Sequence, residues 1–145
     1  MGLAKNREHK AMLIQYAIDK GLGDKVEWHN FTPNLTESYL GSSFVLNFSE
    51  SESFSLTTQE AQFHGRAVVA TRCGGPEEIV VDGETGILVP IADISAMKEA
   101  IERLIADSSL RREMGKAGYY SVRDKFSGLH TTDKLSLLLG SIIKK

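Results

Sequence analysis

The sequence lacks several features that would assign it to a specialised class of protein. It has one cysteine in 145 residues, so no internal disulfide can form. Its formal net charge of −2 gives no electrostatic case for nucleic acid as a partner. The longest apolar stretch, near residues 135–143, is too short to span a bilayer. The four histidines are scattered without metal-ligand spacing, so no metal is expected.

The overall amino-acid composition is ordinary for a globular protein. Apolar residues make up 41% of the chain and charged residues 25%, which predicts a single domain over residues 1–145. No positively charged leader with an apolar core stands at the N-terminus. With one cysteine and no such leader, a cytoplasmic location is expected.

Helical and extended patterns alternate along the chain. Helices are predicted over residues 7–20, 35–40, 55–64, 76–80, 94–106, 109–125 and 131–142. Strands are predicted over residues 25–28, 44–48, 67–71 and 86–89. Short strands that alternate with helices predict an α/β fold, a Rossmann-like doubly wound and mostly parallel sheet covered on both faces.

Two glutamates lie on either side of a predicted loop-to-helix turn. Glu52 is expected in the loop before the helix, and Glu60 about one and a half turns inside it. A carboxylate has two acceptor oxygens, which suit a pair of adjacent hydroxyls such as the ribose 2′ and 3′ groups. The first free amides of the helix, near residues 53–56, and its dipole favour a phosphate. This order suits a nucleotide sugar.

A simpler interpretation exists for each glutamate taken alone. Glu52 also fits the role of an ordinary acidic residue near a helix N-terminus, and Glu60 fits a solvated helix position. The ordered run of residues 52–90 as a whole favours the functional interpretation.

From about residue 21 to residue 127, the chain resembles the C-terminal, donor-binding domain of the GT-B retaining glycosyltransferases of family four. The family pattern is a glutamate, a Gly-Phe-Gly-Leu-like turn and a second glutamate, followed by a Val-Val-Ala strand, a Gly-Gly-x-x-Glu-Ile-Val segment and a Gly-x-x-Gly-x-Leu-Val segment. The matching residues are Glu52, Phe54, Leu56, Glu60, Ala61, Gly65, Val68, Val69, Ala70, Gly74, Gly75, Glu78, Ile79, Val80, Gly83, Gly86, Leu88 and Val89.

The resemblance implies a role for each site residue. Glu60 would bind the ribose hydroxyls, and Glu52 would face the transferred sugar near its reacting carbon. The amides of Ser53, Phe54, Ser55 and Leu56 would hold the sugar hydroxyls and the diphosphate. The donor substrate would be a UDP-, GDP- or ADP-sugar, and neither a cofactor nor a metal is implied.

Other positions of the run keep two interpretations. Gly74 and Gly75 either form a tight turn that lets Pro76 open the next helix or line the ligand site at the end of a strand. Phe31 lies where family members place the nucleotide base, and it equally fits loop packing. Arg111 and Arg112 belong to a charged helix and are interpreted as part of its solvated face.

Three departures from the family pattern qualify the resemblance. Ser53 and Ser55 replace the two glycines of the turn, where a side chain would crowd a close ligand. Arg66 replaces the proline before the Val-Val strand. The start of the chain, residues 1–4, looks like the end of the second strand of the family domain, so the first strand-helix units are missing.

The missing region would hold an Arg and Lys pair that neutralises the diphosphate, and an N-terminal domain that binds the acceptor. The chain is therefore interpreted as a fragment, not competent for catalysis alone. Its unpaired sheet edges would invite self-association.

Two functions follow from the resemblance. In the intact enzyme the chain would bind a nucleotide sugar for retaining transfer to a saccharide or a lipid-linked acceptor, in the cytoplasm or at the inner membrane face. The alternative is a non-catalytic nucleotide-sugar-binding or assembly module of the same fold.

Overall fold

The computed structural model describes residues 2–30 and 32–126, with side chains from residue 7 onward. The chain divides into two compact units, residues 1–33 and residues 34–145. The predicted helix over residues 131–142 lies outside the described residues.

The first unit contains one helix, α1 (Gly2–Asp19). The helix ends at Asp19, and the predicted terminating glycine, Gly21, follows it with a left-handed φ of 69°. The amide of Leu22 donates to the Ala17 carbonyl at 2.8 Å, which is the bond of a Schellman cap. The prediction that residues 1–4 end a strand is wrong, because the helix begins at Gly2 and the segment is made largely of good helix formers.

The predicted strand over residues 25–28 is also wrong. Residue 25 lies in a turn, with the Lys25 amide bonded to the Leu22 carbonyl at 3.0 Å, and residues 26–28 have no regular structure. No ladder between described residues includes this segment. A strand needs a neighbour for its amides and carbonyls, and side-chain alternation does not reveal whether that neighbour exists.

The second unit alternates helices and strands. In chain order its elements are α2 (Thr36–Gly41), β1 (Phe44–Asn47), α3 (Leu56–Phe63), β2 (Ala67–Thr71), α4 (Gly75–Ile79), β3 (Gly86–Val89), α5 (Ile94–Ala106) and α6 (Ser108–Lys125). The three strands form a parallel sheet in the order β1-β2-β3. The predicted α/β class and parallel sheet are confirmed.

Hydrophobic side chains cover both faces of the sheet. On one face, Ala67 and Val69 of β2 cluster with buried residues of α5 and α6, such as Leu104 and Met114. On the other face, Val68 and Ala70 cluster with residues of α2 and α3, including Tyr39 and Ala61. All five residues of β2 are buried, as expected for a strand between two layers of helices.

Aspartates fix the starts of the last two described helices. Asp93 accepts a hydrogen bond from the Ala96 amide at 3.0 Å, and Asp107 accepts from the amides of Ser109 and Leu110. Such caps satisfy amides that have no partner inside the helix. In the part of the sheet that the structure describes, β1 and β3 are the edges. Among the residues that the structure describes, no helix is long and apolar enough to cross a membrane.

Candidate functional site

The loop that carries Glu52 is held against the end of β2. The Glu52 amide donates to the Cys73 carbonyl at 3.1 Å, and the Gly75 amide donates to the Glu52 carbonyl at 2.6 Å. Glu52 and Gly74 form a parallel β-bridge. The glycine pair after β2 therefore positions the loop that the sequence predicts to contact the donor.

Glycine is needed at both positions of this pair. Gly74 has a φ of 104°, which side chains rarely allow. A Cβ on Gly75 would lie 2.6 Å from the backbone nitrogen and carbonyl carbon of Phe54. The turn interpretation is confirmed, since α4 begins at Gly75 with Pro76 in its first turn.

Ser55 is the N-cap of α3 and adopts a left-handed conformation, with φ 49° and ψ 69°. Its side chain makes no capping hydrogen bond to the helix, and its residue is buried. The hydroxyl instead accepts from Asn47 Nδ2 at 2.8 Å and lies 2.7 Å from Thr58 Oγ1. The Ser55 side chain points into the protein, so it leaves the amides at the start of α3 uncrowded.

Polar neighbours fix the Glu52 carboxylate. Asn47 Nδ2 donates to Glu52 Oε2 at 3.0 Å, and the Ser49 hydroxyl donates to Glu52 Oε1 at 3.0 Å. The Ser49 amide and hydroxyl are in turn within 3.3 Å and 2.8 Å of Asn47 Oδ1. Asn47 is the last residue of β1 and is 7% exposed. It thus joins the strand end to both sides of the Glu52 loop.

Hydrogen bonding lowers the pKa of the Glu52 carboxyl. The Ser55 hydroxyl has the largest effect; Asn47 and Ser49 also contribute, and burial opposes all three. The Ser55 hydroxyl has one proton, and Thr58 Oγ1 also lies within hydrogen-bonding distance of it. Ser55 therefore donates to Glu52 only when its proton does not point at Thr58. Glu52 is therefore an anion at neutral pH and acts as an acceptor.

The same shift gives the sign of a stability effect. A carboxylate whose pKa is lower in the folded chain stabilises the fold above its ordinary pKa of 4.5. That contribution is lost as the pH falls through the lower folded value.

Glu60 lies on α3, about one and a half turns beyond Ser55, and contacts Tyr39 of α2. The Tyr39 hydroxyl donates to Glu60 Oε2 at 3.0 Å. Burial, and then the bond to Glu60, raise the pKa of Tyr39 to about 12. The His64 ring stacks on Tyr39 with centroids 5.2 Å apart. Tyr39 therefore occupies one oxygen of an exposed carboxylate and orients the other.

On the expected ribose-binding role of Glu60, replacing Tyr39 with phenylalanine should weaken the binding of a ribonucleotide by about fivefold, or about 1 kcal/mol, because the carboxylate loses the hydrogen bond that orients it. The ring remains, so its packing on Ala61 and His64 is retained. Calorimetric titration with UDP would measure the effect. Wild type and Tyr39→Phe should bind a 2′,3′-dideoxynucleotide with equal affinity. Tyr120 is 60% exposed, so Tyr120→Phe should bind either ligand with the affinity of wild type. Equal UDP affinities of Tyr39→Phe and wild type would contradict this role.

A hollow of about 360 Å³ lies between α3 and α6. It is lined by Gln59, Glu60, Phe63, Val122, Arg123 and Phe126. Phe54 reaches its border, where its ring meets the Phe126 ring edge-on at 5.6 Å. Glu52 does not line this hollow; it faces Asn47 and Ser49. The two glutamates are thus held by separate sets of side chains.

The remaining predicted site residues have simpler placements. Ser53 is exposed, and Leu56, the first residue of α3, is 63% exposed. Phe31 lies outside the described residues. Within residues 2–30 and 32–126, no group of three or more His, Cys, Asp or Glu residues is placed to hold a metal ion.

Sequence reasoning missed Tyr39, Asn47 and Ser49. Asn47 carried a usable signal, since it is a polar residue that ends a buried strand, where open α/β sheets place ligand sites. Tyr39 carried none, because its contact with Glu60 spans 21 residues.

Comparison with known proteins identifies the family. Residues 1–120 match the family described as glycosyl transferases group 1. The chain is 32% identical to the lipopolysaccharide core biosynthesis glycosyltransferase LpsE of Rhizobium meliloti over 92% of its own length and 39% of that protein. It is 34% identical to the D-inositol 3-phosphate glycosyltransferase of Corynebacterium diphtheriae, over 96% of its own length and 32% of that protein. The chain thus spans about a third of the length of these curated relatives.

Solved structures agree with this assignment. The Anabaena protein HepE in complex with UDP superposes with a TM-score of 0.89 at 21% identity, over 96% of this chain and 38% of HepE. HepE in complex with UDP-glucose superposes with a TM-score of 0.84, over 93% of this chain and 37% of HepE. The sheet, the two helix layers and the sequence match together show that the chain belongs to the glycosyl transferases group 1 family and has the GT-B glycosyltransferase fold.

Proposed function

We propose that this chain is the donor-binding part of a retaining glycosyltransferase and that it binds a nucleotide-diphosphate sugar. The observation that carries the proposal is the Glu52 carboxylate, fixed at the end of β1 beside the uncapped start of α3. Amides at a helix start attract phosphate, and an anchored anion accepts hydrogen bonds from sugar hydroxyls. The UDP and UDP-glucose bound by HepE support the same ligand class.

The proposed chemistry breaks the bond between the anomeric carbon and the diphosphate oxygen and forms a bond between that carbon and the oxygen of an acceptor hydroxyl. The diphosphate leaves with the electron pair of the broken bond, and the hydroxyl proton passes to the leaving diphosphate. Negative charge then develops on the diphosphate, and the amides of residues 53–56 stabilise it together with the dipole of α3. Glu52 faces the sugar as an anion, so it acts by accepting hydrogen bonds and by stabilising positive charge near the anomeric carbon. It does not act as a general acid, because its pKa is lowered.

Glu60 binds the ribose in this proposal. Its Oε2 is occupied by Tyr39 at 3.0 Å, and Oε1 accepts from the ribose hydroxyls. The nucleotide base then extends toward the hollow between α3 and α6, whose Phe63 and Phe126 offer apolar surface. The acceptor, a saccharide or a lipid-linked sugar, binds to a further domain of the intact enzyme. That enzyme acts in the cytoplasm or at the inner membrane face, and the isolated chain binds without completing transfer.

The serines at positions 53 and 55 favour the non-catalytic alternative if their side chains crowd the ligand. The Ser55 side chain is buried beside Asn47 and Thr58, so it does not crowd the ligand, whereas Ser53 is exposed. Self-association through the edges β1 and β3 stays a prediction.

Replacing Glu52 with alanine tests the proposal. A titration of UDP-, GDP- and ADP-glucose first identifies the preferred donor. Glu52→Ala should then lower the affinity for that nucleotide sugar by about tenfold, the value of a hydrogen bond to a charged group. Binding of the nucleotide without its sugar should stay unchanged, since Glu52 contacts only the sugar.

Two controls accompany this test. Glu50→Ala removes a neighbouring, exposed carboxylate and should bind both ligands like wild type. Glu52→Gln retains the shape and polarity of the side chain, so it keeps the test informative if the alanine variant unfolds. Equal losses for the nucleotide and the nucleotide sugar would refute the sugar-facing role of Glu52.

A further inference from the structure

A second hollow, of about 210 Å³, lies at the opposite end of the sheet from Glu52. Ser43 immediately precedes β1, Arg66 immediately precedes β2, and Ser108 begins α6. The hollow is lined by Ser42, Ser43, Gly65, Arg66, Ser108, Arg111 and Arg112. Its polar side chains are three guanidinium groups and three hydroxyls. Nothing in the donor-binding proposal uses it.

The three arginines have no carboxylate partner within the described residues. The ion pairs there join Glu27 with His29, Asp82 with Arg72 and Glu102 with Lys98. The acids nearest in sequence are Glu113, which accepts from the Ser109 hydroxyl at 3.2 Å, and Asp107, which accepts from the amides of Ser109 and Leu110 at 2.9 Å. Three positive charges therefore share one concave surface without a neutralising side chain in salt-bridge contact.

One part of each guanidinium group is held in place by the protein. Arg66 donates to the Leu40 carbonyl at 2.9 Å, Arg111 to the Ile105 carbonyl at 3.0 Å, and Arg112 to the Ser108 hydroxyl at 3.3 Å. Arg111 also donates to the Leu104 carbonyl. These bonds orient the side chains and leave further donors, because a guanidinium has five N–H groups and no acceptor.

Arg66 is incompletely satisfied. Its Nε is buried and, among the described residues, makes no hydrogen bond. A buried donor without a partner is destabilising, so the protein does not satisfy Arg66 in full.

We propose that this hollow binds a phosphate group. Guanidinium groups match the oxygens of phosphate in two-pronged contacts, and serine hydroxyls add donors at its rim. The phosphate belongs either to a small soluble molecule or to a lipid headgroup, which share this chemistry. The site is independent of donor binding and lies at the other end of the strands.

Nuclear magnetic resonance on the full 145-residue chain tests the proposal, with inorganic phosphate and pyrophosphate as probes at constant ionic strength. The amides of residues 42, 43, 66, 108, 111 and 112 should shift and saturate. Amides of residues 53–57 report binding at the donor end separately. Arg66→Gln and Arg112→Gln should each lower the probe affinity measured from the amides at the hollow by about tenfold or more, as expected for a lost charge-assisted bond. Arg103→Gln, an exposed arginine on α5, should leave it unchanged.

Vesicles identify the source of the phosphate. If a lipid supplies it, the chain should sediment with phosphatidylcholine vesicles that contain phosphatidic acid, and Arg66→Gln should abolish this; if a soluble molecule supplies it, only the inorganic probes bind. The proposal is overturned if neither probe nor vesicle causes saturable shifts at this hollow. It is also overturned if both the Arg66 and Arg112 variants bind as tightly as wild type.

Discussion

Replacing Glu60 with alanine should weaken the binding of every ribonucleotide diphosphate to this chain by about fiftyfold. The ribose hydroxyls would lose a charged acceptor, which is worth about 1.5–3 kcal/mol net of exchange with water. The Tyr39 hydroxyl, which donates to Glu60 at 3.0 Å, would also lose its partner. Calorimetric titration with the preferred nucleotide measures the change.

Three controls separate ribose binding from general damage. Glu60→Gln keeps an oxygen for Tyr39 and should lose less affinity than the alanine variant. Glu84→Ala removes an exposed glutamate in the turn before β3 and should bind like wild type. For a 2′,3′-dideoxynucleotide, Glu60→Ala and wild type should bind alike. A full fiftyfold loss with that ligand would show that Glu60 does not act through the ribose.

Replacing Gly75 with alanine should destabilise the fold by about 3 kcal/mol, as expected for overpacking that no side chain can relieve. The new Cβ would lie 2.6 Å from the Phe54 backbone, so the loop that carries Glu52 must move. The bond from the Gly75 amide to the Glu52 carbonyl would be strained or broken. A thermal melt should show a midpoint lower by about 10 °C for a domain of this size.

Gly41→Ala is the matched control for this change. Gly41 ends α2, and nothing lies within 4 Å of an added Cβ there, so its melting temperature should stay close to wild type. If Gly75→Ala melts like wild type and still binds nucleotide sugar, then the glycine pair does not position the Glu52 loop.

The second unit was largely predictable from the sequence. Strand β2 and helix α5 occupy the predicted residues because local signals define them: a continuous β-branched run for β2, and the Asp93 cap with helical spacing for α5. The missed segments are those whose structure depends on distant partners. Residues 25–28 have a strand-like pattern without a pairing neighbour in the described chain.

The candidate site was predictable in its residue types but not in its contacts. Glu52 and Glu60 follow from motif order, whereas the Asn47 bond to Glu52 and the Tyr39 bond to Glu60 depend on how strands and helices pack. Ser55 illustrates the limit. The sequence indicates a side chain that crowds the ligand, but the left-handed backbone turns its hydroxyl inward.

The arginine cluster shows the same limit on a larger scale. Arg111 and Arg112 form a solvated face when α6 is considered alone. Arg66 is more than 40 residues away in the sequence, and only the packing of α6 near β2 brings it into the same hollow. Arginines that look solvated on a single helix thereby become part of a basic surface to which two elements contribute.

A crystal structure of the chain with its preferred nucleotide sugar would show whether the two glutamates bind the donor. Ribose hydroxyls are expected within hydrogen-bonding distance of Glu60, diphosphate oxygens at the amides of residues 53–56, and a sugar hydroxyl at the Glu52 carboxylate. A nucleotide bound elsewhere, with Glu52 and Glu60 both free of the ligand, would contradict the proposed donor binding.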